Sequence, residues 1–233
     1  MEIIIHGTGT MAKILNDLAL SKNIKVNGMA DELSDETGDV IIDFSHFSRL
    51  DNLLDFALRK KIPLVIATTG YSDDTLNKIR EYSKEIPILL SSNMSLGINL
   101  IVDILDKIVP VLYENYDIEI IEKHHNKKID SPSGTAKTLL ETVEKNCDEH
   151  MKRVFGREGN EMRAKNEIGI HSIRGGTVVG EHSVMFYGND EIIEIGHTAL
   201  SKNIFAEGAL KAGRFLAGQK PGLYSMKDIF KNN

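Results

Sequence analysis

Residues 2–12 read E-I-I-I-H-G-T-G-T-M-A, and the prediction of the fold starts from them. A short apolar strand is followed by two glycines and by the start of a helical pattern. In such a GxGxxG/A loop, Gly7 permits a tight turn, Gly9 lets the backbone approach a pyrophosphate, and Ala12 keeps the helix close to the strand. The stretch predicts a dinucleotide site formed by Gly7, Thr8, Gly9, Thr10, Met11 and Ala12. The alternative interpretation is a glycine turn with no ligand.

Apolar strands alternate with amphipathic helices through the rest of the first half. Runs rich in Ile, Val and Leu predict strands at Glu2–His6, Ile24–Ala30, Asp39–Phe44, Pro63–Thr68 and Pro87–Ser91. Apolar residues at helical spacing predict helices at Met11–Ser21, Ser48–Lys60 and Asp73–Lys84. Continuous apolar strands between helices favour a parallel sheet covered on both faces, so we predict an α/β, Rossmann-like doubly wound domain.

The pattern changes after Ser95. A long helical pattern covers residues 96–112, and D-I-E-I-I-E-K-H-H at residues 117–125 begins with the alternation of a half-exposed strand. Strand patterns at Ile168–Ile173, Thr177–Tyr187 and Glu191–Gly196 have no helices between them, so we predict an α+β domain with a mainly antiparallel sheet. A last helix, Ile204–Ala217, is expected to pack back onto the first domain. The predicted division is 1–95 with 203–233, the dinucleotide-binding domain, and 96–202, the substrate-binding and oligomerisation domain.

Composition narrows the class of ligand. The net charge of −6 disfavours nucleic acid, whose phosphates attract basic surfaces. An anionic small molecule therefore needs a local cluster of positive charge. The single cysteine, Cys147, cannot form an intramolecular disulfide and fits a reducing compartment. No apolar run has the length of a membrane span, and no secretory signal pattern is found, so a cytoplasmic protein without membrane partners is expected.

Cofactor preference is suggested by residues 31 and 32. Asp31 follows the second predicted strand, where an acidic residue hydrogen-bonds the adenosine ribose. Together with Glu32 it would repel a 2′-phosphate, which predicts NADH as the preferred cofactor. NADPH stays possible, since Lys13 or a residue distant in sequence could reach the phosphate.

Two small polar loops lie beyond the fourth and fifth predicted strands, where ligands bind in such sheets. Either they contact the cofactor or they are ordinary turns. Their candidate cofactor residues are Ala67, Thr68, Thr69, Ser91, Ser92, Asn93 and Met94.

The strongest chemical signal is E-K-H-H-N-K-K-I-D-S-P-S-G-T-A at residues 122–136. In an acidic chain, this segment concentrates two histidines and three lysines just before a helix start, whose free amides suit an anion. A solvated loop is the simpler interpretation of a charge run. A metal site at His124 and His125 is disfavoured, because adjacent strand residues point to opposite faces.

The same segment resembles the active-site motif of the dihydrodipicolinate reductase family. Further similar stretches are G-T-G-T-M-A, I-D-F-S, A-T-T-G-Y, S-S-N-M-S-L-G-I-N and I-R-G-G-T-V-V-G-E-H. The resemblance implies His124 as proton donor and acceptor, Lys128 as proton donor, and a homotetramer built through the sheets of the second domain. Substrate contacts are implied for His125, Ser133, Gly134 and Thr135.

The sequence departs from the family pattern in two places. Thr10 stands where many members carry arginine, which removes a possible phosphate contact. Only seven residues, 32–38, separate Asp31 from the next strand, so one element of the usual cofactor domain is expected to be missing.

The function predicted from these observations is NAD(P)H-dependent reduction of 4-hydroxy-tetrahydrodipicolinate, a small dicarboxylate, to tetrahydrodipicolinate in diaminopimelate and lysine biosynthesis. The alternatives are an amino-acid or semialdehyde dehydrogenase, and a dinucleotide-sensing protein without chemistry. His171, His182 and His197 are expected to be structural, and the role of Arg174 is left open between oligomer contacts and substrate charge.

Overall fold

The computed structural model describes residues 1–230. They form two compact units, one made of 1–96 with 202–230 and the other of 97–201. Within this described part of the chain, no helix combines the length and the apolar character that crossing a bilayer requires.

The first unit holds a six-stranded parallel sheet flanked by helices. Its strands are β1 (Glu2–His6), β2 (Lys25–Ala30), β3 (Val40–Asp43), β4 (Leu64–Ile66), β5 (Pro87–Leu90) and β11 (Gly222–Tyr224). Its helices are α1 (Thr10–Ser21), α2 (Leu50–Lys60), α3 (Asp73–Ser83), α6 (Asn203–Leu216) and α7 (Met226–Phe230). The strand order is β11-β5-β4-β3-β1-β2. Ile3, Ile4 and Ile5 are all fully buried, as expected for a strand covered on both faces.

Helix α6, which corresponds to the helix predicted at Ile204–Ala217, lies in this first unit. Ala206, Ala209 and Leu216 of α6 are buried in one apolar cluster with residues of β1 and α1. A Cβ at Gly208 would lie 1.7 Å from the carbonyl oxygen of Met94. Only glycine therefore allows α6 to lie this close to the end of the β5 loop.

The missing element lies between β2 and β3, where residues 31–39 form no helix. Both strands pair with β1 in parallel, one on each side. The chain thus changes direction across β1, which makes the β1–β3 boundary the topological switch point where open α/β sheets bind ligands.

The second unit holds a five-stranded sheet. Its elements are α4 (Leu96–Leu112, of which Leu96 is counted with the first unit), β6 (Asp117–His124), α5 (Gly134–Glu144), β7 (Lys152–Phe155), β8 (Glu167–Arg174), β9 (Gly180–Tyr187) and β10 (Ile192–Ala199). The order is β10-β9-β6-β8-β7, so β6 separates β8 from β9.

This sheet is mixed, where we expected one that is mainly antiparallel. β6 pairs in parallel with β8, and β7 pairs in parallel with β8, while β9 is antiparallel to β6 and to β10. Helix α5 lies in the connection that follows β6, and such a crossover returns the chain in the same direction. Strand β7 lies inside the polar stretch that gave no strand signal, because its residues are half-exposed or exposed.

Candidate cofactor site and active site

The glycine loop at the end of β1 has the shape that a diphosphate requires. Gly7 has φ +115°, and a Cβ there would lie 2.7 Å from the carbonyl oxygen of Phe44. A Cβ at Gly9 would meet nothing within 4 Å, so the space above the start of α1 is open. No side chain caps α1, and its first turn carries no acidic residue. The first amides of the helix are therefore available to an anion.

The side chain of His6 connects the strand ends beneath this loop. Its Nδ1 lies 2.8 Å from Oδ1 of Asp43, and its Nε2 lies 3.0 Å from the carbonyl oxygen of Asp31. Since the carbonyl can only accept, Nε2 carries a hydrogen. Both His6 and Asp43 are buried. The imidazole thus ties the ends of β2 and β3 to β1 and leaves neither ring nitrogen open.

Asp31 lies where a ribose-binding carboxylate is expected. Its Oδ2 accepts a 2.8 Å hydrogen bond from the Thr8 hydroxyl. Arg49 donates from Nη1 to the Asp31 carbonyl oxygen at 2.8 Å, and its Nη2 lies 3.6 Å from Oδ2. Sequence reasoning did not identify this arginine, which is the last residue of a short 3-10 helix (Phe47–Arg49) that follows β3. A cavity of about 600 Å³ opens here, lined by His6, Asp31, Glu32, Leu33, Ser48, Arg49, Asn52, Leu53, Asp55, Phe56 and Arg59.

The two polar loops follow β4 and β5 directly. Residues 67–69 come after Ile66, and residues 91–94 come after Leu90, so both begin at the carboxyl ends of parallel strands. The Thr68 hydroxyl donates to the carbonyl oxygen of Ser45 at 3.2 Å, and the Ser91 hydroxyl donates to that of Asn93 at 2.8 Å. The first bond ties the loop after β4 to the end of β3, and the second stabilises the loop after β5 internally. Because the strands are parallel, both loops begin at the same edge of the sheet as the glycine loop. The open cradle at Gly9 and the acceptor at Asp31 together fit a nicotinamide dinucleotide.

The predicted chemical segment begins on β6, where Glu122 and His124 share the buried face of the strand. The face alternates from Ile118 and Ile120 to Glu122, which is fully buried. A buried carboxylate requires partners, and Glu122 has them. Oε2 lies 2.6 Å from Nδ1 of His124, while Oε1 accepts the backbone N–H of Ser133 at 3.1 Å.

Arg174 completes the shell of Glu122. Nη1 and Nη2 donate to the two carboxylate oxygens at 2.8 and 2.7 Å, a two-pronged ion pair. Burial alone would raise the pKa of Glu122, but the hydrogen bonds from Arg174 and His124 outweigh it and lower the pKa to about 2. Glu122 is therefore ionised at neutral pH. The role of Arg174, open from the sequence, is first of all to balance this charge.

His124 keeps one ring nitrogen open. Within residues 1–230 we find no hydrogen-bond partner for its Nε2. A Cβ at Gly180 would lie 3.1 Å from that atom, so only glycine leaves its surroundings clear. The ring of His182 stands edge-on at 5.1 Å between centroids. Burial, with repulsion from His124, lowers the pKa of His182 to about 4 and keeps that second imidazole neutral.

Ser133 links this cluster to the start of α5. Its hydroxyl accepts from the backbone N–H of Ala136 at 3.2 Å and lies 3.0 Å from Nε2 of His182. Gly134 and Thr135 form the first residues of the helix, and a Cβ at Gly134 would meet nothing within 4 Å. The helix start is thus fixed from beneath and open above Gly134, which suits a carboxylate.

The structure does not bring every candidate residue into this network. Lys128 forms an ion pair with Asp130, with 2.7 Å between Nζ and Oδ1, and its side chain is 22% exposed. His125 is half-buried, and its carbonyl oxygen accepts the Lys128 N–H at 3.1 Å. Both lie in the turn between β6 and α5, beside the network rather than in it.

Sequence reasoning did not place three residues of the network beside His124: Glu122, His182 and Arg174. A signal for Glu122 was present, since a charged residue on the apolar face of an alternating strand needs a buried partner. His182 was expected to be structural, and its contact with Ser133 supports that role while placing it next to His124.

Comparison with known proteins identifies close relatives. The model for the N-terminus of dihydrodipicolinate reductase matches residues 5–94, and the model for its C-terminus matches residues 97–230. The 4-hydroxy-tetrahydrodipicolinate reductase of Brachyspira hyodysenteriae is 54% identical over 98% of this chain and 99% of its own length. That of Caldanaerobacter subterraneus is 46% identical over 99% and 98%.

Solved structures agree on the fold. A dipicolinate-bound dihydrodipicolinate reductase from Paenisporosarcina sp. TG-14 superposes with a TM-score of 0.80 at 18% identity, covering 97% of both chains. An aspartate dehydrogenase from Thermotoga maritima, of the class considered as an alternative, reaches 0.51 at 12% identity, covering 94% of this chain and 98% of that one.

Proposed function

The chain belongs to the dihydrodipicolinate reductase family, and we propose that it converts 4-hydroxy-tetrahydrodipicolinate, NAD(P)H and a proton to tetrahydrodipicolinate, NAD(P)⁺ and water, a step of diaminopimelate and lysine biosynthesis in which the 4-hydroxyl group leaves as water. It is an NAD(P)H-dependent oxidoreductase. The observation that carries the proposal is that the carboxylate of Glu122 contacts both His124 and the start of α5. One carboxylate oxygen lies next to Nδ1 of His124, which leaves Nε2 of that ring without a partner within residues 1–230. The other oxygen accepts the backbone N–H of Ser133, at the helix start that suits an anion.

The residues of the second unit divide the work. The nicotinamide cofactor, when bound, supplies a hydride to the substrate ring. Lys128 and the amides at Gly134 and Thr135 bind the carboxylates of the substrate and offset their charge, and Lys128 serves as proton donor. His124 exchanges a proton through Nε2, a task worth ~10²- to 10⁴-fold in rate. His125 and Ser133 complete the substrate contacts.

We propose that the first unit binds the cofactor, with NADH preferred and NADPH accepted. Asp31 leaves Oδ1 for the ribose hydroxyls, while its charge and that of Glu32 oppose a 2′-phosphate. Arg49, beside Asp31, partly offsets this repulsion and supports the acceptance of NADPH. In Asp31→Ser, the ratio of the Kd for NADPH to that for NADH should fall at least about tenfold, as expected when one repulsive charge is removed. An unchanged ratio would contradict the assignment.

We further propose a homotetramer assembled through the sheet of the second unit. Ile173 on β8 and Ile192 on β10 are 49% and 60% exposed in the single chain, and association would bury them. Sedimentation equilibrium should give a tetramer, and Ile192→Lys should shift it toward smaller species. A monomer at micromolar concentration would refute this part of the proposal.

The decisive test is NADH oxidation at 340 nm, with dihydrodipicolinate synthase generating the unstable substrate in the cuvette. Turnover should be faster with NADH than with NADPH and should be lost in Lys128→Ala, whose NADH affinity should stay near that of the wild type. Lys127→Ala, the neighbouring exposed lysine, is the matched control and should retain activity. If the protein binds NADH but shows no turnover, the cofactor assignment stands and the proposed substrate is refuted.

A further inference from the structure

We propose that Glu122 and Arg174 act together as positioning residues that lock His124 in the tautomer with its proton on Nδ1. The inference deepens the proposed function, on which it rests, by saying what prepares the histidine. Neither residue is expected to contact the reacting atoms. Their effect passes through the imidazole ring.

The first step is proton counting at the hydrogen bond between Glu122 and His124. The acceptor oxygen Oε2 lies 2.6 Å from Nδ1. An ionised carboxylate can only accept, so Nδ1 must carry the hydrogen. In the neutral ring, Nε2 is then bare, and this is the nitrogen that no group within residues 1–230 occupies. Nε2 is therefore ready to take up a proton and return it.

The second step concerns the charge on Glu122. An ionised carboxylate next to histidine by itself favours the doubly protonated ring, which has no bare nitrogen. Arg174 changes this balance, because its two nitrogens donate to both carboxylate oxygens. The pair is neutral as a whole. Glu122 thus fixes the orientation of the ring while Arg174 keeps the ring from being held as a cation.

The other ionisable groups near the ring do not reverse this balance. His182 on β9 is neutral, because burial lowers its pKa to about 4. Burial also lowers the pKa of His197 on β10. Lys128 and Asp130 in the turn form a pair with each other. The guanidinium of Arg174 also donates to the carbonyl oxygen of Asp130 at 2.7 Å, which connects the turn to the Glu122–Arg174 ion pair.

Glu119 offers a matched control. It lies on the same strand but on the opposite face, and its carboxylate accepts from Arg157, Arg163 and His171. It is thus a carboxylate of similar connectivity that does not contact His124. Glu119→Gln reproduces the chemical change of Glu122→Gln and the loss of ion pairs, without the proposed effect on the tautomer.

The primary test is long-range ¹H–¹⁵N NMR of histidine-labelled protein at neutral pH, with the His124 signals assigned from His124→Gln. Wild-type His124 should show the Nδ1–H tautomer in at least about tenfold excess, as a charge-assisted hydrogen bond requires. In Glu122→Gln the excess should fall toward that of free imidazole, and in Glu119→Gln it should persist. A proton on Nε2 in the wild type would overturn the proposal without any variant.

The second test compares two variants that should change the protonation of His124 in opposite directions. General structural damage would not produce opposite changes. At one fixed pH, the share of doubly protonated His124 read from the ¹⁵N chemical shifts should fall in Glu122→Gln and rise in Arg174→Gln, because the first variant removes a neighbouring negative charge and the second a neighbouring positive one. Movement in the same direction, or no movement, would refute the joint role. If Glu122→Gln does not fold, Arg174→Gln and the wild type still decide the question.

Turnover then separates this inference from the proposed function. In Glu122→Gln, kcat should fall about 10²-fold, which is the size of effect that general acid–base catalysis supplies. KM should change by a smaller factor. Glu122→Asp, which keeps an ionised acceptor, should recover part of the loss. A wild-type protein that shows the expected tautomer but does not reduce the substrate would refute the proposed function alone.

Discussion

The two units each hold a buried histidine against a buried carboxylate, and they differ in what the second ring nitrogen does. Nδ1 of His6 lies 2.8 Å from Asp43, and Nδ1 of His124 lies 2.6 Å from Glu122. Nε2 of His6 is occupied by a backbone carbonyl, whereas Nε2 of His124 faces the gap left by Gly180. A histidine–carboxylate contact of the same kind therefore acts as a brace in the first unit, whereas in the second it is part of the site that we propose for proton exchange. The ring nitrogen without a partner distinguishes His124 from His6, since both histidines are buried and both contact a carboxylate.

The sharpest test of this contrast is His124→Gln. Glutamine can still donate to Glu122, but it cannot exchange a proton, so kcat should fall ~10²- to 10⁴-fold. The Kd for NADH should stay within about twofold of the wild type, because no cofactor candidate is altered. Coupled assays and NADH fluorescence titration measure the two quantities. A loss of NADH binding comparable to the loss of kcat would remove the distinction between the two histidines.

The corresponding variant in the first unit is His6→Ala, which we expect to destabilise the protein. It leaves Asp43 buried without its main partner and releases the end of β2, which should lower the free energy of unfolding by about 3–5 kcal/mol. Urea denaturation monitored by circular dichroism gives the value. His150→Ala, an exposed control, should change it by less than about 0.5 kcal/mol. Equal effects of the two alanines would show that His6 is not a brace.

A third prediction concerns pH and the histidine next to His124. In the unfolded chain His182 takes up a proton near pH 6.5, but in the folded protein burial lowers its pKa to about 4. Between these values the unfolded state binds more protons, so stability is complete above pH 6.5 and declines as the pH falls toward 4. The contribution is at most about 3 kcal/mol.

His182→Gln should flatten this part of the stability curve, measured by urea denaturation from pH 7 to 4.5. That range avoids Glu122, whose own contribution is present above pH 4.5 and is lost as the pH falls toward 2. An identical pH dependence in wild type and variant would mean that His182 is not held neutral by burial.

The smallest expected effect comes from filling the space next to Nε2 of His124. Gly180→Ala places a methyl group 3.1 Å from that atom, and we expect kcat to fall about tenfold with little change in stability. Gly175→Ala is the control, because a Cβ there would meet nothing within 4 Å. If both variants retain full activity, access to Nε2 does not limit the reaction.

Local sequence patterns predicted most of the helices and strands and singled out one segment as the candidate for the chemistry. The glycine loop, the alternating strand of β6 and the helix at Leu96–Leu112 are encoded by neighbouring residues, because turns, strands and helices follow periods of a few residues. The missing element after β2 was also readable, since a stretch of seven residues is too short for a crossover helix. The histidine–lysine segment stood out for its composition alone.

Which side chains meet could not be predicted from local patterns, because the contacting residues are far apart in the sequence. Glu122 and Arg174 are 52 positions apart, Ser133 and His182 are 49 apart, and Asp31 meets Arg49 across 18. The insertion of β6 between β8 and β9 sets the first two of these contacts, and no local pattern records it. The partner of a long side chain depends on strand order and register, which the packing of the whole unit selects. The sequence therefore singled out His124 as a candidate, and the fold decided that its Nδ1 meets Glu122 while its Nε2 has no partner within residues 1–230.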